Sequence, residues 1–305
     1  MNHMNIIPLP YAIPDEYIVT EVPPKTRLFS EIQPGNRSNY CFKHGEEAAY
    51  HEQYRASRFA YTERKGGWDC LRHYEILAAG CIPIFKDLES CPANTMVTFP
   101  KSLVLEACAE LLPWNPGKEA LYDLYVQRLL AHCRNHCSVS ALTKRFLEPF
   151  PNASKVLMIR CHSGENYTRE LLALGLRRKL GAAFVDYPKI DVLYKGCDLS
   201  QKHGNGFTYG GKLEEAGTDR YDIEARIRAR EFDLIIYGKV GRDELGEGSL
   251  PMAFWPTVTE CYDRSQIAFL YGGDGCQNLQ DLGNPYTQHL LRHASKAVCF
   301  VRELL

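Results

Sequence analysis

Apolar residues in the second half of the chain gather into short, nearly uninterrupted runs: Lys155–Arg160, Ala182–Asp186, Phe232–Tyr237, Ile267–Tyr271 and Ala297–Val301. Runs of this length predict strands of a parallel sheet buried on both faces. Between them, Asn166–Leu180, Tyr221–Arg230 and Tyr286–His293 carry the mixed apolar and charged spacing of helices. Strand alternating with helix predicts an α/β fold, here a Rossmann-like layout with a short polar turn after each strand.

The first half repeats the pattern with fewer strands. Glu46–Ser57 reads as a helix, Arg58–Thr62 as extended, Asp69–Ala79 as a strongly amphipathic helix and Ile82–Phe85 as a short strand. Gly80 suits a left-handed residue closing the second helix. Leu121–Leu147 reads as one long helix ending before Pro149 and Pro151. The chain thus divides into residues 1–112, linking helices over 113–153, and residues 154–305. We expect two Rossmann-like domains.

Composition narrows the class. The 305 residues are ample for two domains. A net charge of −1 lacks the basic surplus usual in nucleic-acid binders, so no nucleic-acid partner is expected. No stretch approaches the ~18–20 apolar residues of a membrane span. The opening residues lack a basic start and contain Pro8, Pro10 and Pro14, unlike a signal peptide. The twelve cysteines are scattered, which predicts reduced thiols and a cytoplasmic location. The sequons at Asn36, Asn152 and Asn166 are then chance matches. Cys133 and Cys137, beside His132 and His136, fit either a metal site or a helix packing small thiols inward; the second is the plainer reading.

Candidate chemistry concentrates in residues 60–85, which read as strand, Gly-Gly loop, helix, turn and strand. Lys65, Gly66 and Gly67 place a cation and backbone amides before a helix N-terminus, an arrangement suited to phosphate. Asp69 is a good N-cap residue. Arg72 and Glu75 stand at i and i+3 on one helix face. A cation there would stabilise a departing diphosphate, and a carboxylate would accept hydrogen bonds from sugar hydroxyls. The plainer alternative is a surface ion pair beside a flexible loop.

Arg72-His-Tyr-Glu75 through Gly80-Cys-Ile-Pro83 resembles the donor-site motif of B-type glycosyltransferases, most closely the exostosin-like group. The likeness is tight over about residues 54–100. It implies a two-domain B-type (GT-B-like) fold, with Glu75 on the donor's ribose or sugar and Lys65 and Arg72 on its diphosphate. Trp68-Asp69 stands where the group more often has serine or threonine. The second half is similar to the acceptor-side domain of uncharacterised transferase-like proteins, through Val185–Lys189, His203–Tyr209, Phe232–Gly238 and Phe269–Asp274.

Asp186 ends a buried strand, where open α/β sheets place ligand contacts. His203 and Gly206 lie in a glycine-rich loop, and Asp274 follows Gly272-Gly273. Asp186 and His203 are the candidate bases, with Gly206 and Asp274 on the acceptor side. The plainer readings are a turn-capping Asp186, a solvated His203 and an Asx-turn at Asp274.

In the resembled fold the acceptor domain comes first, whereas here the donor-type motif does. Joined end to end, Ala297–Leu304 and Asn5–Ile13 would carry one domain into the next, which suggests circular permutation; truncated or fused half-domains are the alternative. The expected function is transfer of a sugar, hexosyl or pentosyl, from a nucleotide-sugar donor to a carbohydrate hydroxyl acceptor, with no metal or other cofactor. A nucleotide- or glycan-binding protein without catalysis is the alternative. A Rossmann oxidoreductase is disfavoured, because Cys161–Asn166 replaces any G-x-G-x-x-G after the Lys155–Arg160 strand.

Overall fold

A computed structural model describes residues 5–36, 38, 42–43, 45–200, 209–215, 217–240, 251–275 and 277–305. Its strands are β1 (Ile6–Pro8), β2 (Arg27–Phe29), β3 (Ser57–Thr62), β4 (Ile82–Phe85), β5 (Val156–Arg160), β6 (Phe184–Tyr187), β7 (Leu234–Gly238), β8 (Ile267–Tyr271) and β9 (Val298–Val301). Its α-helices are α1 (Glu47–Arg55), α2 (Leu71–Ala78), α3 (Lys101–Leu111), α4 (Glu119–His132), α5 (Val139–Leu147), α6 (Tyr167–Leu180), α7 (Ile223–Arg228), α8 (Trp255–Cys261) and α9 (Pro285–Ala294). None of these helices is long and apolar enough to cross a membrane.

Two parallel sheets result, and the α/β class is as the alternating pattern implied. The large sheet has six strands in the order β1-β9-β8-β7-β5-β6; the small one has three, β2-β3-β4. Alternate residues of the large sheet feed two apolar layers. Val156, Met158, Leu234 and Ile236 face one, while Leu157, Ile159, Ile235 and Tyr237 face the other. Helices α5 and α6 cover the first face through Phe146 and Leu172. Helices α7 and α9 cover the second through Ile227 and Leu290. Burial on both faces is why these strands read as continuous apolar runs.

Strand β1 pairs with β9, in the register Ile6↔Cys299 and Pro8↔Val301. Residues 6–8 therefore join the sheet built from the chain's far end, crossing the division drawn at residue 112. The linking helices are no simple connector either. One apolar cluster runs from Phe59 and Leu77 through Leu129 and Phe146 to Phe300, so both sheets share a core.

The long helix expected over Leu121–Leu147 is broken. A π-turn at Cys133–Cys137 ends α4, and Ser138 is extended at φ −76° and ψ 158°. The cause is tertiary: Ile13 bridges here, its N–H donating to Cys137 O at 2.9 Å while Val139 N–H donates to Ile13 O at 2.9 Å. Ser138 Oγ then accepts from Ala141 N at 3.1 Å and restarts the chain as α5. Cys133 and Cys137 are buried in the core, and among the described residues no three His, Cys, Asp or Glu side chains gather to hold a metal.

Close approach of α5 and α6 depends on Gly175, where a Cβ would fall 1.9 Å from Thr143 Oγ1 and 2.9 Å from Val139 Cγ1. Alanine normally stabilises a helix relative to glycine by ~1 kcal/mol. At this contact overpacking reverses the sign. Gly175→Ala is expected to lower stability by about 1–3 kcal/mol in urea titration, and a gain in stability would show that the helices are not pressed together there.

Candidate active site

The chain passes from β5 to β6 on one side, then returns across β5 to β7 on the other. Where successive connections part in this way, the carboxyl ends of the strands border a crevice. A cavity of about 580 Å³ lies there, within the range of small-molecule sites. Its large-sheet wall comprises Glu165, Asn166 and Tyr167 after β5, Lys239 after β7, and Gly272–Asp274 after β8. Opposite stand Lys65–Gly67 and the start of α2, with Tyr50 from α1.

Local bonding stiffens the large-sheet wall. Asn166 caps α6 through its side chain, accepting from Arg169 N at 3.1 Å. The buried Arg169 guanidinium reaches back to His162 O and Gly164 O, both at 2.8 Å, and pairs with Glu170. Glu170 in turn accepts from Asn166 N at 2.6 Å. The loop after β5 is thus wrapped around its own helix.

Every donor-side residue singled out from the sequence, namely Lys65, Gly66, Gly67, Asp69, Arg72 and Glu75, borders this cavity, and Asp274 joins them from the other wall. Several have duties that the sequence did not reveal. Glu303, just beyond β9, accepts from Trp68 N at 3.2 Å and from Asp69 N at 2.8 Å. These two amides, the next after the Lys65–Gly67 amides expected to cradle a phosphate, hold a carboxylate of the same chain, and Lys65 N itself donates to Gly67 O at 3.1 Å. Gly67 is required by that approach, since a Cβ there would sit 2.3 Å from Glu303 Oε1.

Asp69 is not the N-cap of α2. Cys70 occupies that position without a side-chain bond. Asp69 instead turns inward, accepting from Tyr11 N and Tyr74 OH, both at 2.7 Å. Arg302, only 1% exposed, donates to the Asp69 carbonyl, to Gly273 O at 2.9 Å and to the Asp274 carboxylate. It also pairs with Glu303 at 2.9 Å and lies over the Tyr11 ring at 4.6 Å. Burial pushes the Asp69 carboxyl up to about 6, against the pull of Arg302 and its two donors. Burial likewise raises Glu303.

Arg72 is fixed from below. Its Nε donates to Thr62 Oγ1 at 3.1 Å and its Nη2 to Glu63 O at 3.0 Å. Thr62 also meets His73 Nδ1 at 2.8 Å, and His73 Nε2 meets Trp68 O at 3.0 Å. The Trp68 carbonyl only accepts, so Nε2 carries the proton and Nδ1 receives the Thr62 hydroxyl. Burial, with Arg72 beside it, pulls His73 down to about 3 and keeps this relay neutral. Glu75 accepts from Tyr50 OH at 2.6 Å and Tyr209 OH at 2.7 Å.

Asp186 does not reach the cavity. It is fully buried, with Oδ1 accepting from Arg220 Nη2 at 2.7 Å and Tyr194 OH at 2.9 Å, Arg177 beyond at 3.4 Å, and Oδ2 accepting from Ile190 N at 2.8 Å. A carboxylate so enclosed by two guanidinium groups is a structural anchor, not the base expected from its place at a strand end. His203 and Gly206 lie outside the described residues. Sequence reasoning missed Tyr11, Tyr50, Tyr167 and Lys239 as wall residues; Lys239 and Tyr167 carried the one available signal, a position just past a buried strand. No family model matches this chain, and no curated protein or solved structure does either.

Glu303→Ala strips the Trp68 and Asp69 amides of their acceptor and leaves buried Arg302 short of a partner. It is expected to cost about 3–5 kcal/mol in denaturant unfolding, and a loss under 1 kcal/mol would remove the tether from the account. The raised Asp69 has a pH signature of its own. Between about pH 4 and 6 the folded protein holds a proton that the unfolded chain has released, so stability from this group falls as pH rises through that window. Asp69→Asn should flatten that part of the stability profile, and an unchanged slope would assign it to other groups.

Proposed function

We propose that the protein is a glycosyltransferase taking a sugar from a nucleotide-sugar donor to a hydroxyl of a carbohydrate acceptor. The observation carrying this reading is that Lys65, Arg72 and Glu75 face Glu165, Lys239 and Asp274 across one cavity bounded by the two sheets. In this reading the sheets are the two Rossmann-like halves of a B-type arrangement in permuted order, the small sheet carrying the donor. β1 pairs in parallel with β9 inside the large sheet, so the end of β9 and the start of β1 lie at opposite ends of the paired strands, and the permuted order rests on the resemblance at residues 72–83 and not on this pairing.

The chemistry follows from the wall residues. Cleavage of the bond between the anomeric carbon and the phosphate oxygen leaves its electron pair on the diphosphate, and Arg72 and Lys65 meet that charge. The acceptor oxygen bonds to the anomeric carbon and releases its proton. With Asp186 withdrawn, the large-sheet carboxylates lining the cavity are Glu165 and Asp274, the latter also paired with Arg302, and in this reading Glu165 receives that proton. This route draws on cationic side chains and does not call on a metal. A second reading, a nucleotide- or glycan-binding protein without turnover, is favoured by the burial of Asp186, which takes the expected base out of the cleft.

Arg72→Gln and Glu75→Gln are each expected to weaken nucleotide-sugar binding at least tenfold, about 1.4 kcal/mol, in titration calorimetry. Circular dichroism should remain that of the parent. Wild-type affinity in both variants would end the site assignment, while binding without donor turnover in the parent would select the second reading.

A further inference from the structure

Glu75 is 6% exposed and yet borders the cavity. Its carboxylate is gripped from two directions by neutral donors. Tyr50, from α1, supplies one hydroxyl at 2.6 Å to Oε2. Tyr209 supplies the other at 2.7 Å to Oε1, and it comes from a segment attached to the large sheet. Each oxygen keeps a lone pair for a further donor. Burial, reinforced by Glu75 itself, drives the Tyr209 phenol well above its ordinary pKa, so it stays protonated and donating.

The Tyr209 segment is anchored by a ladder to the stretch after β6. Gly211 N donates to Val192 O, Leu213 N to Leu193 O and Lys195 N to Leu213 O, all at 2.9 Å. Tyr194, which bridges to Leu213, donates its hydroxyl to Asp186 Oδ1 at 2.9 Å. That same hydroxyl oxygen accepts from Arg177 and Arg220, each at 3.0 Å. Asp186 thus fixes Tyr194, Tyr194 fixes the ladder, and the ladder presents Tyr209 to Glu75. The edge contact of Tyr209 with Tyr17, at 5.1 Å between ring centres, keeps its ring from swinging aside.

We propose that Asp186, Tyr194 and Tyr209 form a chain of positioning residues that orients Glu75 toward the vicinal hydroxyls of a bound nucleotide's ribose. The ligand half of this statement rests on the donor-site reading above; the hold on Glu75 does not. None of the three is catalytic, since each acts through its neighbour. The arrangement also makes the donor pocket's key carboxylate answer to the opposite sheet.

Two measurements on the full chain test it. The first is titration calorimetry of ADP, GDP and UDP against their 2′,3′-dideoxy analogues. The parent should prefer the ribose form of its nucleotide by about tenfold, the worth of a hydrogen bond to a charged group. Tyr209→Phe should shrink that preference to about twofold while leaving affinity for the dideoxy form in place. Tyr194→Phe should act in the same direction and add little to Tyr209→Phe in the double variant. A purely structural role would weaken both forms alike, so a parental preference in Tyr209→Phe overturns the proposal. The second is a thermal-unfolding cycle of Tyr209→Phe with Glu75→Gln. A double variant that loses less than the sum of the singles supports the hold, and strict additivity overturns it. If the parent binds none of the three nucleotides, the donor-site reading falls and the unfolding cycle alone decides whether Tyr209 holds Glu75.

Discussion

The tie between Arg302 and Glu303 on one side and the Trp68–Asp69 peptide on the other is the constraint from which the rest of the architecture follows. It joins the end of the large sheet to the loop that opens α2, using the Asp69 and Gly273 carbonyls, the Trp68 and Asp69 amides and the Asp274 and Glu303 carboxylates, with the Arg302 guanidinium at the centre. Fully desolvated charges survive only when paired and hydrogen-bonded. Each group in this knot depends on the others, and surrounding it are Tyr11, Gly66 and Gly67, whose positions are set by how tightly the knot closes. Through Asp69, Gly273 and Asp274 the knot ties together residues from both walls of the cavity.

That arrangement changes the meaning of the Gly-Gly loop. Glycines ahead of a helix are commonly explained by a phosphate needing backbone amides. Here Gly66 lies against Asp274 and Gly67 against Glu303, so close that a Cβ at either would collide. The loop is shaped first by protein carboxylates. Cationic side chains also line the cavity, Lys65 and Arg72 on one wall and Lys239 on the other. Arg72 is braced by Thr62 and the Glu63 carbonyl, which spares it from ordering its side chain when a ligand arrives.

Much of the fold was legible because local pattern and tertiary environment agree. The five apolar runs of the second half became β5 to β9 because burial on both faces erases alternation, and Asn166 was a recognisable start for α6. The break at Ser138 was not legible. Cys133–Cys137 is compatible with a continuing helix, and only the arrival of Ile13, distant in sequence, imposes the interruption. Asp186 misled for a related reason. Its strand-end position is where ligands gather in such sheets, but nothing local reveals that Arg177 and Arg220 close over it. The grouping of residues 65–75 was readable as a cluster, whereas the role of Asp69 was not, because its partners Tyr11 and Arg302 come from opposite extremes of the numbering.

The edge pairing of β1 has a consequence for how the protein is made. Asn5 hydrogen-bonds to Ala294 O across 289 positions. A ribosome adding about 5–20 residues each second needs on the order of tens of seconds to span that interval. Throughout it, Ile6 and Ile7 lack the partner residues Cys299 and Phe300 against which they pair.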